Sequence, residues 1–110
     1  MATTTSPQPT ASIDAQKARL LVRFTPTSDM TNDQYDETMR RLEKSGDWMP
    51  DGLEFHVAFR SAGDFRVSEI WDSREQLDAF SDRLMPVLKD VGIELSGQPE
   101  VLEIHNLVTR

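Results

Sequence analysis

The 110-residue sequence has no cysteine, which excludes a disulfide framework, a thiolate metal site and a cysteine nucleophile. It also lacks long apolar runs: stretches such as Leu20-Leu21-Val22 are far too short to span a bilayer. Basic residues are in deficit, 12 against 19 acidic ones for a net charge of -7, and they are dispersed. Such a chain repels phosphate backbones, so no nucleic acid partner is expected, and the charge argues chiefly for solubility. Large apolar side chains are scarce in residues 1–16, MATTTSPQPTASIDAQ, which cannot offset the entropy of ordering them. The expectation is a disordered leader over 1–16 and one domain over 17–110. The leader lacks the basic start and apolar core of a signal peptide, so a cytoplasmic location and no membrane association are expected.

What is present reads as six elements in the order β-α-β-β-α-β. Residues 19–25 form a strand with Leu20, Val22 and Phe24 on one face and Leu21 and Arg23 on the other. Thr31-Asn32-Asp33-Gln34 is a capping box opening a helix that Gly46 closes, with Tyr35, Met39 and Leu42 as its core stripe. A hairpin follows. In its first strand Leu53, Phe55, Val57 and Phe59 alternate with Glu54, His56, Ala58 and Arg60. In its second, Phe65, Val67, Glu69 and Trp71 alternate with Arg66, Ser68 and Ile70. Ser73-Arg74-Glu75-Gln76 is a second capping box; its helix carries Leu77, Phe80, Leu84, Leu88 and Val91 at helical spacing, contains Pro86 and stops at Gly92. The last strand is read over residues 101–108.

Two βαβ halves of this length fold as an α+β, ferredoxin-like antiparallel sheet with both helices on one face. Several strands are apolar on both faces: Leu21 lies opposite Leu20 and Val22, and Leu102 and Ile104 lie opposite Val101 and Leu107. A sheet bare on one side would show cleaner alternation. A homodimer pressing two such faces together, a dimeric α/β barrel, is therefore expected.

At Glu69-Ile70-Trp71-Asp72-Ser73-Arg74-Glu75-Gln76-Leu77, a strand ending Glu-x-Trp runs into a serine capping box and leucine. This resembles the antibiotic biosynthesis monooxygenase-like branch of the dimeric α/β-barrel superfamily, over about residues 18 to 108. The resemblance implies a homodimer oxidising aromatic polyketides or quinols with dioxygen, without metal or flavin cofactor. Other members of that superfamily are isomerases, haem-degrading enzymes or proteins of no known activity. Where many quinol-oxidising relatives carry histidine, three residues beyond the leucine matching Leu77, this chain has Phe80.

The candidate catalytic groups are His56, His105 and Glu69. Imidazole suits proton transfer near neutrality, and His56 shares its strand face with Glu54 and Arg60. Glu69, between Val67 and Trp71 on a central strand, reads as a base or as a structural ion-pair partner. Trp71 is a candidate to stack on an aromatic ligand or to pack against the second helix. Arg23 and Arg60 are candidates to hold an anionic or enolate oxygen, or simply surface cations. No close-spaced metal-ligand motif and no glycine-rich phosphate loop occurs. The function expected is small-molecule binding by an aromatic or carbonyl-bearing ligand, with cofactor-independent oxygenation or proton transfer. The alternative is a non-catalytic ligand-binding or stress-associated interaction protein.

Overall fold

The computed structural model describes residues 19–26 and 30–110; the leader expected over 1–16 lies outside the described residues. Strands β1 (Leu20–Phe24), β2 (Leu53–Ser61), β3 (Asp64–Trp71) and β4 (Glu100–Glu103) alternate with helices α1 (Asn32–Ser45) and α2 (Arg74–Val91) in the expected order. The sheet is antiparallel in the order β2-β3-β1-β4. With both helices over one face, this is the α+β ferredoxin-like arrangement.

The helices begin and end where their caps dictate. Thr31 accepts from the Gln34 amide and Gln34 Oε1 accepts from the Thr31 amide, each at 3.0 Å, and Gly46 takes the left-handed conformation that closes α1. Ser73 Oγ accepts from the Gln76 amide at the head of α2, and Gly92 closes it. Helix α2 runs through Pro86, which is exposed. The core lies between the helices and the sheet: Val22, Leu42, Trp71, Leu77 and Phe80 are fully buried there. Burial of this kind of apolar surface, at about 25 cal/mol per Å², is what holds the two layers together.

Two expectations about the strands need correction. The first concerns β2, whose sequence reads as one continuous alternation. Leu53 pairs with Trp71, but Phe55 pairs with Ile70, so a bulge at Glu54 inserts one extra residue. Because side chains alternate with period two, that residue inverts every position after it. Leu53 stays in the core beneath the helices, yet it is His56, Ala58 and Arg60 that join it on that face. Phe55, Val57 and Phe59 turn to the opposite, open face, where they are 49%, 37% and 38% exposed. Glu54 therefore does not share a face with His56 in a regular ladder. The second correction is the length of β4, which ends at Glu103. Its partner β1 starts at Leu20, opposite Glu103, and among the described residues one further bond, from the Ile104 amide to the Arg19 carbonyl, continues the pairing.

The turn that sets up the bulge depends on Gly52. Its φ of +91° lies in the left-handed region, and a Cβ there would approach Gln76 Cβ to 2.8 Å. Its carbonyl also accepts from the Asp72 amide at 2.8 Å. Gly52→Ala is expected to destabilise the protein by about 3 kcal/mol, combining backbone strain and overpacking. Urea denaturation measures this, and an unchanged midpoint would refute it.

Candidate functional site

Beneath the helices, β3 presents Glu69 and β2 presents His56 directly opposite. Cross-strand partners stand about 5 Å apart at Cβ, within reach of a carboxylate–imidazole bond. The His56 Nδ1 to Glu69 Oε2 distance is 2.6 Å. Two residues along the same face of β3, the Trp71 indole Nε1–H donates to the other carboxylate oxygen, Oε1, at 2.8 Å. From α1, the Tyr35 hydroxyl lies 2.7 Å from His56 Nε2. The four side chains form one line, Trp71–Glu69–His56–Tyr35, crossing from the sheet to the helix layer.

The protonation pattern follows from the acceptors. A carboxylate can only accept, so Nδ1 carries a proton toward Glu69. In the neutral imidazole Nε2 is then an acceptor, and the Tyr35 hydroxyl donates to it. Glu69 is 3% exposed and would be costly to bury without these donors. Burial, then the nearby charges of Glu69 and Asp36, push the Tyr35 hydroxyl above its ordinary value of 10.0. Aromatic rings pack around the imidazole. Tyr35 stacks on it with centroids 5.9 Å apart, and Trp48 meets it edge-on at 5.0 Å. Tyr35 also lies against Phe65 at 5.2 Å.

This line borders a cavity of about 60 Å³ between the layers, walled by Phe24, Met39, Trp48, Phe80, Leu84 and Leu95 among others, with Tyr35, His56 and Glu69 as its polar edge. It has room for a few water molecules and is well short of the roughly 300 Å³ of a small ligand site.

Of the six residues singled out from sequence, the structure brings together His56, Glu69 and Trp71. Trp71 is fully buried, its ring 5.7 Å from Phe80, so it anchors Glu69 from below while Trp48 faces the cavity. Arg60 is on the same sheet face but farther out, over the Phe65 ring at 5.1 Å and bonded to Asn32 Oδ1 at 2.8 Å. Arg23 is elsewhere, exposed on the open face and 3.5 Å from Glu100. His105 lies past the end of β4, exposed, in a shallow apolar hollow with Leu21, Ile70 and Leu102. The chain's own helices cover His56 and Glu69.

Tyr35 and Trp48 were missed. The spacing of Tyr35 with Met39 and Leu42 marks it as a plain core residue. The available signal was its hydroxyl, since a tyrosine on a buried stripe needs a partner. Among the described residues, no three histidine, aspartate or glutamate side chains converge as a metal-ligand set, and no helix is long and apolar enough to cross a membrane.

Fold and site together define a small α+β domain with a buried carboxylate–imidazole–phenol line beside an apolar cavity. Among solved structures, the protein YjcS is similar at 14% identity and a TM-score of 0.52, over 79% of this chain and 97% of YjcS. Rv0793 from Mycobacterium tuberculosis is similar at 20% identity and a TM-score of 0.49, over 83% of this chain and 95% of its own. A "putative antibiotic biosynthesis monooxygenase" from Chloroflexus aurantiacus J-10-fl is similar at 18% identity and a TM-score of 0.47, again over 83% and 95%. No family model matches the chain, and no curated protein matches it in sequence. The likeness to YjcS is one of fold alone.

The sequence contains a single tyrosine, so its ionisation can be followed by ultraviolet absorbance without overlap. Tyr35 is expected to titrate above 10 in the folded protein. A hydroxyl whose folded value is raised contributes stability below its unfolded value, near 10, and that contribution is lost as pH rises through the folded value. The wild type should thus lose stability above pH ~10 more steeply than Tyr35→Phe. A tyrosine titrating at or below 10 would contradict the buried line.

Proposed function

We propose that this protein binds a small hydroxyl-bearing aromatic molecule between its helices and sheet and removes the hydroxyl proton with His56. The observation that carries the reading is the state of His56. Its Nδ1–H is committed to a buried carboxylate, so Nε2 is an acceptor at the edge of an apolar cavity, met in this structure by the Tyr35 hydroxyl. Oriented in this way by Glu69, the imidazole takes a proton from a phenol or enol. Glu69 then stabilises the imidazolium that forms, the role a carboxylate plays toward histidine in acid–base sites generally. The phenolate or enolate so produced is electron-rich enough to pass an electron to dioxygen, which supports cofactor-independent oxygenation as the overall reaction. Arg60 and Arg23 are too far out on their faces to take the oxyanion role without rearrangement.

The test is oxygen consumption with a panel of anthrones and hydroquinones. His56→Gln is expected to lower the rate by roughly 10²–10⁴-fold, and His105→Ala to leave it unchanged, because that side chain sits on the other face. A rate indifferent to His56, or no turnover and no binding across the panel, would sink the enzymatic reading. One observation favours the non-catalytic alternative: every polar atom of the line is already paired within the chain, as a purely structural network would be. That reading predicts ligand-independent loss of stability in His56→Gln and nothing else.

The open face supports a homodimer. Phe55, Val57, Phe59 and Leu102, all more than a third exposed, lie with Leu21 and Ile70 on one side of the sheet. Monomers rarely leave so contiguous an apolar surface in water, and a two-fold face-to-face pairing buries the same patch on both copies. Sedimentation at micromolar concentration is expected to give the mass of two subunits, and Phe55→Lys, which touches nothing on the helix side, the mass of one. A one-subunit wild type would refute the pairing.

A further inference from the structure

The cavity beside His56 is too small for an aromatic ring as it stands, so a ligand that reaches Nε2 needs a wall to give way. Phe24, Leu42 and Phe80 are core side chains, and moving any of them opens the hydrophobic centre. Trp48 holds the far edge of the imidazole. Tyr35 differs from the three core side chains: like Trp48 it is only partly buried, and it stands on the first helical turns of α1. Its ring is clasped between the His56 imidazole and the Phe65 ring. Its hydroxyl occupies the one hydrogen-bonding position that the proton acceptor offers.

We infer that Tyr35 is a built-in plug: its side chain fills a phenol-shaped seat on His56, and the true ligand is a phenol or enol that takes the same seat when Tyr35 swings out. The inference rests on the proposed role of His56 and adds the residue that decides what is admitted. The seat's selectivity follows from the tautomer. With Nδ1–H held by Glu69, neutral Nε2 can pair only with a donor. A phenol or enol O–H satisfies it; a ketone or an ether of the same shape leaves it unpaired, a penalty that gives strong discrimination in buried sites. The exchange breaks one hydroxyl–imidazole hydrogen bond and makes another. Its cost is therefore mainly that of releasing the Tyr35 ring from Phe65 and His56 to solvent, repaid when the incoming ring takes those contacts.

The experiment is calorimetric titration of the full chain with para-cresol, the phenol that reproduces the tyrosine side chain, and with its methyl ether, which has no donor. Wild type, Tyr35→Phe and Tyr35→Ala are compared, with far-ultraviolet circular dichroism reporting the fold of each. Tyr35→Phe keeps the ring but gives up the bond to His56, so the plug leaves more easily, and para-cresol should bind roughly five-fold tighter than to the wild type. Tyr35→Ala empties the seat and should bind tighter still, by roughly ten-fold or more over the wild type. The methyl ether should bind all three proteins at least roughly ten-fold more weakly than para-cresol. Should Tyr35→Ala fail to fold, the Tyr35→Phe comparison decides alone. Wild-type binding that neither variant tightens overturns the plug and leaves His56 standing as the base. Equal binding of para-cresol and its ether overturns recognition through Nε2. Absence of binding in all three overturns both the plug and the proposed function.

Discussion

A carboxylate buried in an apolar layer has to be met by donors, and in this fold that requirement organises everything near it. Glu69 stands on the face of β3 that also carries Val67 and Trp71, opposite Val22 of β1. Removing a carboxylate from water costs several kcal/mol unless its lone pairs are filled. Two donors fill them here, the Trp71 indole and the His56 imidazole. That fixes the Trp71 ring orientation and the His56 tautomer together. The tautomer in turn leaves Nε2 seeking a donor, which the Tyr35 hydroxyl on α1 supplies. One buried charge-bearing group therefore orders side chains from two strands and a helix. Removing it would strand two donors in the core, which is more damaging than losing the bonds themselves.

The bulge at Glu54 is what delivers His56 to that carboxylate. Continued in register from the Leu53–Trp71 pair, β2 would set Phe55 opposite Glu69 and turn His56 to the open face. The one inserted residue exchanges them. The same residue throws Phe55, Val57 and Phe59 outward, so the polar site on one face and the apolar surface on the other have a single geometric origin. Because Glu54 is the extra residue, removing it would leave Phe55 opposite Ile70 and His56 opposite Glu69 in a regular ladder, whereas an insertion or deletion after Phe55 would exchange the two faces.

Much of this architecture was legible from residue types alone, and the misreadings are physical rather than accidental. The helices could be placed because Thr31, Gln34, Gly46, Ser73 and Gly92 satisfy orphan backbone groups by local chemistry. The facing of β1 and β3 could be read because nothing interrupts their alternation. In β2 the apolar positions 53, 55, 57 and 59 alternate without a break, and the extra residue is a glutamate rather than a glycine, so no local signal marks the bulge. The end of β4 differs from the sequence reading because the apolar alternation persists through Ile104, while the ladder with β1 reaches Glu103 opposite Leu20. Tyr35 sat correctly on its helical stripe. Its role depends on a histidine 21 residues away, a contact that spacing within one helix cannot reveal.

The position of Phe80 shows why the imidazole in this chain belongs on the sheet. Its ring is 2% exposed, 5.7 Å from Trp71 and 6.2 Å from Trp48, with the Arg83 guanidinium over it at 5.9 Å, so it closes the cavity from α2. A histidine there would have to compete for Glu69 or remain unsatisfied among aromatic rings. With the sheet supplying the imidazole instead, α2 is free to be wholly apolar on its inner face, and the one polar side chain that reaches His56 from the helix layer comes from α1. Polar pairing and aromatic packing are thus divided between layers: the sheet holds the carboxylate and the imidazole, α2 holds the wall, and α1 brings the Tyr35 hydroxyl to His56.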